Sequence, residues 1–93
     1  MSFNVEEYLS KLPDNVKKID LDYKNITCVP DLLRFKNLQQ LYISNNKLTK
    51  LPTLPNSLVE LICYNNKLTM LPSLPNSLTV LICYNNQLTM LPI

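Results

Sequence analysis

The sequence predicts an α/β solenoid of mostly β and irregular content: short parallel strands in one sheet behind a small N-terminal helix. Three observations carry that prediction. A unit of 20 residues recurs from Leu38, Leu58 and Leu78. Apolar residues keep the same places in each unit: Leu38, Leu41, Ile43, Leu48 and Leu51 return as Leu58, Leu61, Cys63, Leu68 and Leu71, and again as Leu78, Leu81, Cys83, Leu88 and Leu91. Each unit also reaches a Leu-Pro pair, at Leu51-Pro52, Leu71-Pro72 and Leu91-Pro92. One such unit cannot bury its leucines alone; stacked neighbours turn them into columns of continuous core.

An asparagine occupies the ninth position each time, as Asn46, Asn66 and Asn86. The pattern L-x-x-L-x-L-x-x-N-x-L-x-x-L-P resembles the leucine-rich-repeat family. That resemblance implies a right-handed superhelix with one concave parallel β-sheet and an extended or 3-10 convex side. The LPxLP form is similar to the short repeats of secreted effectors of enteric bacteria and of proteins from large amoeba-infecting viruses. An atypical copy precedes the regular ones, with Val16, Ile19, Leu21, Ile26, Val29 and Pro30 on the template, Lys24 at the ninth place and Asn25 beside it. The domain reading is therefore a helical cap over 1–15 and repeats over 16–93, in copies starting at 16, 38, 58 and 78.

Taken in order, residues 1–15 form the cap. Ser2 or Asn4 caps a helix whose first turn carries Glu6 and Glu7, acids that suit the positive end of the helix dipole. Val5, Tyr8, Leu9 and Leu12 make an apolar stripe, and Pro13 stops it. A cap over the open end of the stack is the reading preferred to a membrane or partner helix. Glu6 and Glu7 break any secretory h-region, and no run of about 20 apolar residues exists to span a bilayer. The link from Asp31 to Asn37 is two residues longer than later ones, and Leu32, Leu33 and Phe35 suggest a single helical turn.

In each strand, such as Leu61-Ile62-Cys63-Tyr64, alternation turns Leu61 and Cys63 inward and Glu60, Ile62 and Tyr64 outward. Asn46, Asn66 and Asn86 fall where the chain leaves the strand. An amide supplies both donors and an acceptor to a buried turn, so these three are expected to form a structural ladder. With no glycine in the chain, turns that need positive φ must use asparagine. The return segment Thr69 to Pro75 has two prolines and no helical period, so it should be extended.

Composition removes most chemistry. Net charge is +2 and Arg34 is the sole arginine, so neither nucleic acid nor membrane is expected as a partner. Histidine is absent, which excludes Ser-His and Cys-His catalysis and histidine metal sites. Without glycine there is no phosphate-cradling loop. Glu60 stands alone among uncharged neighbours, with no carboxylate paired to it. No catalytic residue, cofactor or metal is expected, and the chain reads as a non-enzyme. Three cysteines without a secretory signal read as thiols in the cytoplasm, the host's if the source is viral or an effector. Cys63 and Cys83 share one inward position and read as core thiols, a disulfide between them being the alternative.

Function is expected on the outward strand positions: Gln40, Glu60 and Val80; then Tyr42, Ile62 and Ile82; then Ser44, Tyr64 and Tyr84, with Lys18, Asp20 and Asp22 ahead of them. Tyr42, Glu60, Ile62, Tyr64, Val80, Ile82 and Tyr84 are the candidate partner-binding residues, since tyrosines beside exposed aliphatics suit a protein interface. Simple β-propensity after recent duplication is the competing explanation. Because the sequence stops at Ile93, directly after Leu91-Pro92, with no polar cap, homodimerisation through the last copy is a second expectation, a fragment of a longer array being the alternative. The resemblance also leaves open the recognition part of a longer effector enzyme such as a ubiquitin ligase, or a purely self-assembling structural protein.

Overall fold

The computed structural model describes residues 2–89. One helix, α1 (Val5–Ser10), precedes four strands, β1 (Lys18–Asp20), β2 (Gln40–Tyr42), β3 (Glu60–Ile62) and β4 (Val80–Ile82). All pairs are parallel and follow chain order. Ile19 lies beside Leu41, Leu41 beside Leu61, and Leu61 beside Leu81. Parallel neighbours need a crossover, and here each crossover is the rest of the repeat, which makes the sheet the concave side of a solenoid.

The strands are short in name, yet their hydrogen bonding continues beyond them. Ile43 N–H donates to Ile62 C=O at 2.9 Å and Asn45 N–H to Tyr64 C=O at 3.0 Å; Cys63 and Asn65 repeat the pattern on Ile82 and Tyr84. The chain then turns through positive φ at Asn45, Asn65 and Asn85, with values of 59°, 54° and 54°. In the atypical copy Tyr23, at 58°, holds the equivalent place, and Asn25 adds a second such residue. A second short ladder follows, from Lys47 N–H to Ile26 C=O, Lys67 to Leu48, and Gln87 to Leu68.

The core is the stack of equivalent side chains. Leu38, Leu41, Ile43, Leu48, Leu58, Leu61, Cys63 and Leu68 are all fully buried. Leu78, Leu81, Cys83 and Leu88 of the fourth copy are half-buried, since nothing stacks beyond them among the described residues. Leu91, the last member of the Leu51 and Leu71 column, lies outside the described residues. The return side carries no helix there: Leu51, Pro52, Leu54 and Pro55 are buried in an irregular run. The link after the first copy departs from expectation. It makes two successive turns rather than a helical one, closed by Phe35 N–H on Leu32 C=O and Leu38 N–H on Phe35 C=O, both 3.1 Å. This spacing lets Leu32 and Phe35 enter the core while Leu33 stays out.

Asn4 caps α1, its Oδ1 accepting from Glu7 N–H at 3.0 Å. A helix of six residues does not persist alone in water. Burial of Leu9, with Val5, Tyr8 and Leu12 packed against the core, holds it in place. Arg34 ties it down further: its guanidinium donates to Leu9 C=O at 2.7 Å and Leu12 C=O at 3.2 Å, pairs with Asp14, and lies 4.1 Å from the Phe35 ring centroid.

Candidate interaction face of the sheet

The outward columns divide by chemistry. At the N-terminal side Lys18 and Asp20 are exposed, and Gln40, Tyr42 and Glu60 are half-buried. Gln40 Nε2 and Tyr42 O–H both donate to Glu60 Oε1, at 2.9 and 3.0 Å, while Lys18 Nζ sits 4.7 Å from the Tyr42 ring centroid. Donation to Glu60 raises the Tyr42 phenol above its ordinary pKa, helped by desolvation and the charges of Glu60, Asp20 and Asp22. These side chains form a polar lattice across three strands.

At the C-terminal side the surface is apolar. Tyr64 and Tyr84 stack with centroids 4.8 Å apart and planes 7° from parallel. Ile62 is half-buried, while Val80 and Ile82 are each 38% exposed and Tyr84 is 57% exposed. Stacking one repeat on the next is what brings the two rings together, because the parallel register superimposes equivalent positions.

Ser44 behaves differently from Tyr64 and Tyr84, which follow it in its column. It is fully buried, and its Oγ accepts from Tyr64 N–H at 3.1 Å. One repeat earlier Asp22 Oδ1 accepts from Ser44 N–H at 2.6 Å. Burial raises the Asp22 pKa; the Ser44 bond opposes that rise, Asp20 adds to it and Lys18 opposes it. At this position, then, the side chain caps the backbone of the next repeat until tyrosine replaces it.

The asparagines also sort by place. Asn46 Oδ1 accepts from Lys24 and Ile26 N–H, and its Nδ2 donates to Leu21 and Ser44 C=O. Asn66 Oδ1 accepts from Leu48 N–H, and its Nδ2 donates to Ile43, Cys63 and Tyr64 C=O. Asn86 repeats this on Leu68, Cys63, Cys83 and Tyr84. Each reaches the backbone of the copy before, not the next asparagine. The direct amide contact lies one residue earlier, where Asn65 Nδ2 donates to Asn45 Oδ1 at 2.8 Å. Cys63 is buried with its thiol pushed up to about 12, chiefly by desolvation and then by Cys83, so it stays protonated at neutral pH. Among the described residues no three acidic or cysteine side chains converge as metal ligands.

Two structural roles are hidden in the sequence. Nothing local to Arg34 shows that the carbonyls of Leu12 and Leu9, 22 and 25 positions away, come within its reach. Strict alternation points Ser44 outward; the signal against it is its small size, with an oxygen able to bond a neighbouring N–H.

Comparison with known proteins places these features. The family model for leucine-rich repeats, two copies, matches residues 14–56. Among solved structures, YopM from Yersinia enterocolitica WA-314 superposes with a TM-score of 0.81 at 36% identity, over 95% of this chain and 18% of that one. The chain therefore spans under a fifth of that protein's length. No curated protein matches. The stacked parallel strands, the two matching repeats and the YopM-like solenoid together support a leucine-rich-repeat protein similar to the bacterial-effector class.

Proposed function

We propose that this chain is a non-enzymatic protein-interaction module whose partner lies on the concave sheet, against Tyr42, Glu60, Ile62, Tyr64, Val80, Ile82 and Tyr84. The observation that carries the reading is the stacked Tyr64–Tyr84 pair beside exposed Val80 and Ile82, aromatic and aliphatic area gathered on one face. Rigid aromatic anchors beside apolar side chains are what concentrates binding energy at protein interfaces. Asn46, Asn66 and Asn86 serve the scaffold as a ladder of amide-to-backbone bonds. Free Cys28, Cys63 and Cys83 suit a reducing cytoplasm. Affinity capture from the native cell, comparing the wild type with Ile82→Asp and Tyr84→Ala, tests the face. Partners lost with both variants and kept with Ser73→Glu on the return side are expected; the same partners kept by all three refute the reading.

A second reading rests on the fourth copy. Leu78, Leu81, Cys83 and Leu88 are half-buried where Leu58, Leu61, Cys63 and Leu68 are fully buried. These columns and the edge of β4 that no strand pairs among the described residues form an apolar, self-complementary patch, which a second copy of this chain would cover about a two-fold axis in an isologous dimer. Sedimentation equilibrium should then show a dimer that Leu81→Lys dissociates; a monomer at millimolar concentration rules it out.

A further inference from the structure

Charge divides the sheet face along its length. Lys18 against Asp20, Asp22 and Glu60 leaves it at −2, on a chain whose total is +2. Among the described residues the ion pairs are Lys11–Glu7 and Arg34–Asp14, neither of which involves a side chain of this face. Lys18 turns its ammonium to the Tyr42 ring instead. Glu60 uses Oε1 for both of its bonds, and Asp22 uses Oδ1 for Ser44, so each has a second oxygen to offer. Desolvation and the neighbouring Asp20 make the charged form of Asp22 costly, and an incoming cation would relieve that cost.

The opposite end, Val80, Ile82 and Tyr84, holds no charge and exposes apolar area. Three inter-strand steps of about 4.8 Å separate β1 from β4, roughly 14 Å. An extended polypeptide covers that distance in about four residues.

We infer that the partner contributes an extended segment laid across the strands, with a lysine or arginine over Asp20 and Asp22, attracted further by Glu60 two strands on. About four residues away, an apolar or aromatic side chain rests on Ile82 and the Tyr64–Tyr84 stack. The inference rests on the concave-face reading above and adds to it the chemistry and polarity of the occupant. The ionic end sets orientation and encounter rate, and the apolar end supplies most of the affinity.

A random peptide library displayed on phage, panned against the full chain, supplies the probe. Enriched peptides are synthesised and their affinities measured by fluorescence anisotropy against the wild type, Ile82→Asp, Glu60→Gln and the double variant Asp20→Asn with Asp22→Asn. The amide replacements keep the acceptor oxygens used by Ser44, Gln40 and Tyr42, and circular dichroism confirms that each variant remains folded. Expected are peptides with a basic residue spaced from an apolar one, lost on Ile82→Asp and weakened up to about fivefold per carboxylate removed, as for surface ion pairs. That weakening should shrink as salt is raised. Peptides lost on Ile82→Asp but uniformly apolar or acidic, and indifferent to the amide variants, overturn this inference while leaving the concave-face reading standing. Peptides indifferent to Ile82→Asp, or no enrichment at all, overturn both.

Discussion

Tyr23 holds a φ of 58° at the place where Asn45, Asn65 and Asn85 make the same turn. Asparagine tolerates that conformation because its short amide bonds locally; a tyrosine there is strained and, at 75% exposure, recovers little by packing. Its presence has a second cost. Asn45 Oδ1 accepts from Asn65, while Asn45 Nδ2 is buried with no partner, since no asparagine stands at residue 23 to continue the chain of amides. Tyr23→Asn is therefore expected to stabilise the fold by about 1–2 kcal/mol, read as a higher urea midpoint at unchanged slope. Asp22 gives a pH-dependent test at the same scale. Its folded pKa is raised above 3.8, so the folded chain binds this proton more readily than the unfolded one. The stability linked to that proton is present at low pH and lost as pH rises from the ordinary value through the folded one. Asp22→Asn removes this loss while keeping an oxygen for Ser44 N–H. The variant should match the wild type in acid and exceed it at neutral pH, by urea unfolding at each pH.

At the scale of elements, α1 depends on its anchorage. Its cap and its exposed Lys11–Glu7 pair contribute little against the entropy of ordering so short a helix. Arg34 joins the carbonyls of Leu9 and Leu12 to the first link, where its plane also lies on Phe35. Arg34→Ala should cost about 1–3 kcal/mol and remove hydrogen-exchange protection from Leu9 and Leu12 amides before those of β2 and β3. Arg34→Lys should recover only part of this, since an ammonium lacks the planar fork that reaches two carbonyls while stacking on a ring. Equal stability of both variants and the wild type would show that the cap docks by apolar contact alone.

Across the whole molecule, stability should vary along the stack. Leu61 is fully buried between two neighbours, whereas Leu81 has a neighbour on one side among the described residues and is half-buried. Leu61→Ala should cost about 3–5 kcal/mol and Leu81→Ala roughly half as much, in thermal or urea melts. Native-state hydrogen exchange should show the second and third copies opening last, as expected when each repeat is stabilised by its interfaces. Equal costs at Leu61 and Leu81 would mean the fourth copy is covered in solution, which joins this test to the dimer reading. Among the described residues no helix is long and apolar enough to cross a membrane.

What the sequence determined by itself was the architecture. A 20-residue period with leucines at constant places admits one solution, a parallel stack, because superposition is what gathers the repeated leucines into columns of core. The Leu-Pro pairs excluded a convex helix for a local reason, proline's fixed φ and missing donor. Tertiary structure decided what no repeat pattern contains: that Ser44 turns in to cap the Tyr64 N–H, that Glu60 gathers Gln40 and Tyr42, and that Arg34 reaches back to the helix. Those contacts join different copies through side-chain rotamers. Period dictates which backbones lie side by side, whereas hydrogen-bond geometry between neighbours dictates where each polar group finds its partner.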